Sequence, residues 1–313
     1  MLDFYNGWNM PRHLYRSDLY KIWGKFPYEK GDYQIDALFR MIWPGYEDCS
    51  YLRNERGFLT PTPYGDSFDV ITNRCHQELL NQYPAIMLLG DVELTPDVVQ
   101  RLTGFVRQGG DLLLDANHAR ALSELCSGVR LGENQTGYVS CVLASGETFD
   151  EQPYTYTLAE LLEADPLLTN ELGKPLLTVQ RVGRGRVVVC TVDHWLTEGL
   201  KYRAPELMHL APPYQLLRGV RAVLAEYFSS FSPVQVHPAG LGVTVCCFAE
   251  DAKRLLVGLM NQDLFADWQG TLQIRLGPIK AVRELLREQD LPAQVPLPLA
   301  IPAGETLILD VRL

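Results

Sequence analysis

The stretch that most constrains the fold is 83–115, which has the order strand, helix, strand. Ala85–Leu89 is an unbroken apolar run, too short for a helix and typical of a strand buried on both faces. Thr95-Pro96-Asp97 predicts a helix start, because a threonine hydroxyl caps free backbone N–H groups and proline suits the first helical position. Gly109-Gly110 ends this helix, and Asp111–Leu114 is the next buried strand. Such a unit predicts a parallel sheet with helical crossovers.

Residues 58–230 extend this α/β pattern. Ser67 is placed to cap a helix that runs to Leu80, and Pro212-Pro213 precedes an amphipathic helix over Tyr214–Phe228. The segment predicts a flavodoxin-like parallel sheet, of the kind found in class I amidotransferases, with Ala85–Leu89 and Asp111–Leu114 as adjacent central strands.

Further strands are predicted in the second half of this domain. Gly183-Arg184-Gly185 indicates a hairpin turn between strands Leu176–Arg181 and Arg186–Val192. Tyr138–Leu143 also has the pattern of a strand, whereas Glu147–Tyr156 is predicted to be an excursion outside the core.

Residues 231–313 change character after Phe231-Ser232-Pro233, a predicted linker. Short apolar segments alternate with Pro, Gly and Asp turns, which favours an antiparallel β-sandwich domain. The predicted strands are Val234–His237, Gly242–Phe248, Arg254–Met260, Thr271–Leu276, Ala281–Leu286 and Thr306–Leu313.

Residues 1–57 form an aromatic-rich arm or linker with little periodicity, apart from a predicted helix at Ile35–Ile42. Exposed aromatic rings could form a carbohydrate-binding platform. They could equally anchor the segment against another chain or fold it back on its own α/β domain. The aromatic residues are Tyr5, Trp8, Tyr15, Tyr20, Trp23, Phe26, Tyr28, Tyr33, Phe39, Trp43 and Tyr46.

Charge and composition exclude several classes of function. The 313 residues carry 28 basic and 38 acidic side chains, a formal net charge of −10, which disfavours binding to nucleic acid or to anionic membranes. No apolar run has the length of a membrane span, and the N-terminus lacks the order of a signal peptide. We expect a cytoplasmic protein, with export left open, and free thiols at its seven scattered cysteines.

The candidate site residues lie where loops follow predicted strands, because open α/β sheets bind ligands at the carboxyl ends of their strands. Asp66 and Ser67 could instead only cap the helix, and a lone histidine at a strand end is more often structural. The ligand-binding candidates are Tyr64, Gly65, Asp66, Asp91, Asn117, His118, Asp193 and His194.

No catalytic, metal or cofactor motif is evident. The nucleophile elbow of class I glutamine amidotransferases would fall at Ala116–Ala119, which has neither the cysteine nor the glycines. Asp193 and His194 are adjacent on a predicted strand and should face opposite sides. The histidines lack metal-binding spacing, and no phosphate-binding loop is present. Paired carboxylates drawn from Glu55, Asp66 and Asp91 stay open.

Three segments carry a family resemblance. YPAIMLLGDVELTPDVVQRLTGFVRQGGDLLL, GRGRVVV and IPAGETLILDV resemble the trimerisation domain and the following small β-domain of glycoside hydrolase family 42 β-galactosidases. The resemblance covers about residues 58–313 and implies an amidotransferase-like fold without an amidotransferase site. The family's catalytic glutamates lie in a (β/α)8 barrel, for which we expect no room in this chain, so none is carried over.

The resemblance implies a non-catalytic assembly or accessory role in a β-galactosidase-like glycoside hydrolase system. The expected partners are further copies of the chain or a barrel-type glycosidase, with carbohydrate as the expected ligand class and no cofactor. Two alternatives stay open: a standalone hydrolase that uses the carboxyl edge of the sheet, with Asp66, Asp91, His118 and His194, and a carbohydrate-binding protein.

Overall fold

The computed structural model describes residues 1–4, 30–43, 62–64, 68–198, 214–247, 251 and 253–313. The chain divides into two compact units: unit 1 comprises Met1–Leu38 and Val70–Leu224, and unit 2 comprises Phe39–Asp69 and Ala225–Leu313. The domain bounds 1–57, 58–230 and 231–313 stay a prediction. Within the described ranges, no helix combines the length and apolar character that a membrane crossing requires.

Unit 1 is built from helices and one large sheet. Its described helices are α1 (Lys30–Ile42), α2 (Gln77–Leu80), α3 (Pro96–Gln108), α4 (Ala116–Ala119), α5 (Glu124–Ser127) and α6 (Arg218–Phe231); α1 and α6 continue into the sequence of unit 2. Its strands are β1 (Ala85–Met87), β2 (Asp111–Asp115), β3 (Val129–Leu143), β4 (Thr148–Leu161), β5 (Asp165–Asn170), β6 (Pro175–Val182), β7 (Gly185–Cys190), β8 (Leu196–Glu198) and β9 (Tyr214–Leu216).

The large sheet has the order β1-β2-β7-β6-β5-β3-β4. Its β1, β2 and β7 are parallel, and every other neighbouring pair is antiparallel. The expectation of a parallel sheet is therefore confirmed only for this three-stranded part, and the sheet is mixed. The reason is local: two residues connect β6 to β7, and so short a turn can join only antiparallel strands.

The strand–helix–strand unit at 83–115 is confirmed. The Thr95 hydroxyl accepts a hydrogen bond from the Val98 N–H, Pro96 opens α3, and Gly109 ends it at φ 120°. Helix α3 buries Leu102 and Phe105 against the core of the sheet. Burial of each such side chain stabilises the fold by roughly 1.5–3 kcal/mol.

Strand β1 is parallel to β2 as predicted, but its predicted central position is wrong, because it stands at the end of the described sheet. Its outer side is nevertheless covered. The Met1 amino group donates to the Met87 carbonyl at 2.5 Å, and the Leu89 N–H donates to the Met1 carbonyl at 3.0 Å. This covering explains how an end strand carries the continuous apolar run of a central one.

Two predicted helices begin later than expected. The helix predicted from Ser67 is wrong over the described residues before Gln77, where Thr72 and Asn73 pair with Leu2 instead and cannot form helical hydrogen bonds. The helix predicted at Tyr214 begins at Arg218, because Tyr214–Leu216 forms strand β9 beside β8.

The predicted excursion at Glu147–Tyr156 is also wrong. From Thr148 onward it lies in β4, which pairs with β3 in a long hairpin and buries the rings of Tyr154 and Tyr156. The register of the two strands shifts at three places. Such bulges interrupt the alternation of apolar and polar residues by which strands are predicted.

Unit 2 contains the predicted antiparallel β-sandwich. One sheet has the order β10-β13-β16 and the other β11-β12-β17-β14-β15, and both contribute to one apolar core. The strands are β10 (Val234–His237), β11 (Leu241–Cys247), β12 (Arg254–Asn261), β13 (Trp268–Ile274), β14 (Ala281–Glu284), β15 (Gln289–Leu291), β16 (Leu297–Ile301) and β17 (Thr306–Arg312). The sequence pattern missed β15 and β16; β16 contains Pro298, which is tolerated because the strand lies at a sheet edge.

The described part of the aromatic N-terminal segment packs within the chain. Helix α1 extends the predicted Ile35–Ile42 by five residues toward its start. The Tyr33 ring lies 5.3 Å from that of Tyr214 in unit 1. In unit 2, Trp43 belongs to an aromatic cluster with Phe39, Tyr64, Phe68 and Phe228.

Candidate functional site

The candidate site lies at the carboxyl ends of the parallel strands β2 and β7. Strand β2 ends at Asp115, whose side chain accepts a hydrogen bond from the His118 N–H and so caps the short helix α4. Strand β7 ends at Cys190, and the chain then turns through Asp193 and His194. Because β2 and β7 are parallel neighbours, both strand ends meet at one edge of the sheet.

Asp115 and His118 form a buried pair. Their Oδ1 and Nδ1 atoms lie 2.9 Å apart, and the two side chains are 1% and 6% exposed. On its other side, His118 Nε2 accepts a hydrogen bond from the Val92 N–H at 3.2 Å. That bond requires an unprotonated Nε2, so a neutral His118 carries its proton on Nδ1, toward Asp115. His118 therefore fixes the carboxylate to the loop after β1.

His194 approaches the other oxygen of the same carboxylate. Its Nδ1 lies 3.7 Å from Asp115 Oδ2, and its Nε2 lies 3.7 Å from Asp193 Oδ1. His194 has φ 46° and ψ 29°, and the buried Trp195 follows at φ 66°. Two consecutive non-glycine residues with positive φ are unusual, and such strain often marks functional sites.

The expectation that Asp193 and His194 face opposite sides is wrong. It assumed an extended strand, whereas Asp193–Trp195 is a 3₁₀ turn. The turn directs both polar side chains to the same cavity.

Neighbouring groups and burial shift the pKa of two side chains in the site, Asp115 and Lys30. Burial disfavours the ionised form of Asp115, but the hydrogen bond and charge of His118, with the charge of His194, outweigh it and lower the pKa of Asp115. Lys30 of α1 forms an ion pair with Asp193, and partial burial lowers the pKa of Lys30.

A small cavity of about 70 Å³ opens between these groups and the β3–β4 hairpin. The hairpin contributes Asn134, Thr155 and Thr157, and Thr157 Oγ1 donates to Asn134 Oδ1 at 2.9 Å. The cavity is therefore rich in hydroxyl, amide, carboxylate and imidazole groups. Its volume is well below the roughly 300–1,000 Å³ of pockets that enclose a whole small-molecule ligand.

The structure separates the predicted site residues into groups. Asn117, Asp193 and His194 line the cavity, and His118 lies behind Asp115. Asp91 is exposed and is not part of the cavity lining, and Tyr64 belongs to the aromatic cluster of unit 2. Gly65 and Asp66 lie outside the described residues, as does Glu55.

Sequence reasoning missed Asp115, Lys30 and the hairpin residues. Asp115 could have been predicted from the sequence, because it directly follows the apolar run Leu112–Leu114 and precedes Asn117 and His118. The hairpin residues could not, since Thr155 and Thr157 come from a segment predicted to lie outside the core.

Cysteines and metal-binding side chains also occur among the described residues. The cavity lining contains no cysteine, and burial raises the pKa of the Cys190 thiol far above its usual range. Cys75, Cys126, Cys141, Cys190 and Cys246 are free. No group of three or more metal-binding side chains occurs in the described ranges.

Comparison with known proteins gives a fold likeness. No protein-family model matches the sequence, and no curated protein matches it. Among solved structures, Gan42B, a GH42 β-galactosidase from G. stearothermophilus, aligns with a TM-score of 0.51 and 14% identity over 80% of this chain and 35% of its own. A β-galactosidase from Bacillus circulans sp. alkalophilus aligns with a TM-score of 0.51 and 15% identity over 80% of this chain and 35% of its own.

A cold-adapted β-galactosidase from Rahnella sp. R3 also aligns, with a TM-score of 0.50 and 15% identity over 90% of this chain and 37% of its own. The chain thus spans about a third of the length of these structures. At this identity the likeness shows the fold alone: part of each of these three structures has a fold similar to that of this chain.

Proposed function

We propose that this chain is a non-catalytic assembly or accessory region of a β-galactosidase-like glycoside hydrolase system. The observation that carries the proposal is the alignment of 80–90% of the chain with about a third of three GH42 β-galactosidases. A shared architecture over both an α/β part and a β-sandwich is more specific than a shared single sheet. The resemblance to the trimerisation domain supplies the assembly role within this proposal.

The chemistry of the sheet edge supports the accessory role. At the turn where an amidotransferase would place its nucleophile, Asp115 caps α4 and the following residues are Ala116, Asn117 and His118. A cavity of about 70 Å³ is too small to enclose a disaccharide. The proposed system therefore keeps its glycosidic chemistry in a barrel-type glycosidase partner.

Assembly predicts a mass above that of one chain. In light scattering at micromolar concentration, we expect a multiple of 35.3 kDa, or a complex with a barrel-type glycosidase of the same organism. Phe4 lies in the N-terminal segment and is 52% exposed, so Phe4→Ser is expected to weaken association. Phe265→Ser, at a 76% exposed phenylalanine of unit 2, is the matched control.

A constant mass of 35.3 kDa across dilution, together with no binding to such a glycosidase, would contradict the assembly proposal. If Phe265→Ser weakens association and Phe4→Ser does not, the proposal keeps its oligomer but loses the N-terminal segment as its contact.

A second candidate function is a standalone hydrolase at the sheet edge, favoured by the strained His194 beside the buried Asp115. Against it, we predict that the purified chain hydrolyses neither glutamine nor 4-nitrophenyl β-galactoside, because no cysteine or serine lines the cavity beside this pair in the described residues. Release of ammonia or 4-nitrophenol is the measurement. Turnover that persists in His76→Asn, an exposed histidine, but disappears in His194→Asn would establish the hydrolase instead.

A further inference from the structure

The cavity contains two buried polar atoms that lack a hydrogen-bond partner among the described residues. They are Asp115 Oδ2 and His194 Nδ1, and they lie 3.7 Å apart. That separation exceeds a normal hydrogen bond. Leaving a buried polar group unsatisfied is destabilising, because the group loses its hydrogen bonds to water. The positive φ of His194 is also unfavourable, so the surrounding structure must hold His194 in this conformation. It does so although the two polar atoms stay unsatisfied.

A single oxygen atom can satisfy both groups. Asp115 Oδ2 and His194 Nδ1 are 3.7 Å apart, so an oxygen atom beside the line that joins them can lie about 2.8 Å from each. It must donate to the carboxylate, and it can accept from a protonated Nδ1. A hydroxyl group of a ligand does both at once, in the place that an ordered water would otherwise take.

The charge balance favours a neutral ligand. The Asp115 carboxylate has two imidazoles beside it, and the Asp193 carboxylate is paired with Lys30. An anionic ligand would be repelled by Asp115, whose neighbour His118 is neutral, whereas a neutral hydroxyl group can donate a hydrogen bond to this carboxylate. The hairpin groups around it, Asn134 and Thr157, are uncharged donors and acceptors suited to further hydroxyls.

The size of the cavity limits which part of a ligand enters. Its volume of about 70 Å³ is well below the roughly 300–1,000 Å³ of pockets that enclose a whole small-molecule ligand. We therefore expect a small group such as a hydroxymethyl to enter it and a sugar ring to stay outside. Two lining residues reach the protein surface: Asn117 is exposed and Asp193 is partly exposed. The rest of a ligand can therefore remain outside the cavity.

We propose that this cavity binds the primary hydroxyl of a neutral sugar or polyol, with its hydroxymethyl group between Asp115 and His194. The choice of a sugar rests on the proposed glycoside-hydrolase role, whereas the hydroxyl follows from the two unsatisfied atoms.

The test is saturation-transfer NMR on the full chain with three probes: D-galactose, its 6-deoxy form D-fucose, and glycerol. D-Galactose and glycerol are expected to bind, and D-fucose to bind at least about tenfold more weakly, equivalent to about 1.4 kcal/mol. Equal binding of D-galactose and D-fucose would overturn the proposal. Absence of binding by all three would also overturn it and leave the cavity with ordered water only.

Matched variants locate the binding. His194→Asn removes the imidazole, and asparagine tolerates the positive φ, so D-galactose binding should fall about tenfold while His76→Asn changes nothing. If His194→Asn fails to fold, the nearly isosteric Thr157→Val decides, with an expected loss of threefold or more. Unchanged D-galactose binding in the folded variant would place the ligand elsewhere and sink the proposal.

The two proposals fail separately. Light scattering tests assembly without any sugar, and the NMR measurement tests the cavity on the chain alone. A chain that assembles but ignores D-galactose refutes the cavity inference alone, whereas a monomer that discriminates D-galactose from D-fucose refutes the assembly role alone.

Discussion

An Asp115→Ala variant is expected to lose about 2–5 kcal/mol of unfolding free energy, because it removes a helix cap, worth about 0.5–2 kcal/mol, and leaves buried polar groups unsatisfied, at about 1–3 kcal/mol each. The Asp115 side chain is 1% exposed, caps α4 and lies 2.9 Å from His118 Nδ1. Its removal leaves His118 and His194 buried without the carboxylate between them. Chemical denaturation followed by far-UV circular dichroism measures the loss.

Two matched variants separate the causes. Asp115→Asn keeps an oxygen that can cap α4 but removes the charge. We therefore expect its free energy of unfolding to lie between those of the wild type and Asp115→Ala. Asp97→Ala removes an acid that is 76% exposed and paired with Arg101, and should cost less than about 1 kcal/mol. Losses of similar size for Asp97→Ala and Asp115→Ala would contradict the assignment of Asp115 as the organising residue of the sheet edge.

The stabilisation that Asp115 provides is expected to decrease at acidic pH. The pKa of Asp115 is lower in the folded chain than in the unfolded chain, where an aspartate has a pKa near 3.9. Its stabilising contribution is therefore present above about pH 4 and is lost as the pH falls through the folded pKa. The difference in unfolding free energy between wild type and Asp115→Asn should shrink on acidification below about pH 4. A difference that grows there would show a raised pKa.

The parts of the fold that sequence predicted are those whose signals are local. Thr95-Pro96 and Gly109-Gly110 delimit α3 by their own backbone chemistry, and the β6–β7 hairpin turns at its glycines. What could not be predicted depends on distant partners. Met1 covers the outer side of β1, so an end strand has the sequence of a central one.

The candidate site shows the same limit. The strand ends placed Asn117, His118, Asp193 and His194 at one sheet edge, because parallel neighbours end on the same side. The cavity itself is completed by Asn134 and Thr157, from a hairpin whose bulges hide its strand pattern. The positive φ of His194 had no signal either, since the residue is neither a glycine nor part of a turn motif.

Gly185→Ala is expected to cost about 3 kcal/mol or more, because its added methyl group meets backbone on two sides. A Cβ at this position would lie 2.1 Å from the Gly110 carbonyl oxygen and 2.3 Å from that of Val106. Neither atom can move without displacing the end of α3, and overpacking of this kind usually costs about 1–3 kcal/mol and sometimes more. Thermal or chemical denaturation gives the value.

The site of this clash joins two motifs that look independent in the sequence. The hairpin turn packs on the last turn of α3: the Arg184 N–H donates to the Arg107 carbonyl and the Arg186 N–H to the Gly110 carbonyl, both at 3.3 Å. Carbonyls at a helix end lack partners within the helix, so this turn satisfies the end of α3 while it starts β7. The paired glycines after the helix and those of the hairpin turn are thus needed together.

Gly132→Ala in β3 is the control, because its Cβ would make only an ordinary contact, 3.4 Å from Leu158 Cβ. Its effect should stay within about 1 kcal/mol of wild type, since alanine in an unstrained position also restricts the unfolded chain. If Gly185→Ala is as stable as Gly132→Ala, the end of α3 and the β6–β7 turn do not pack as described. A large loss at Gly185 alone instead confirms that contact as a fixed point of unit 1, on which the position of β7, and with it His194, depends.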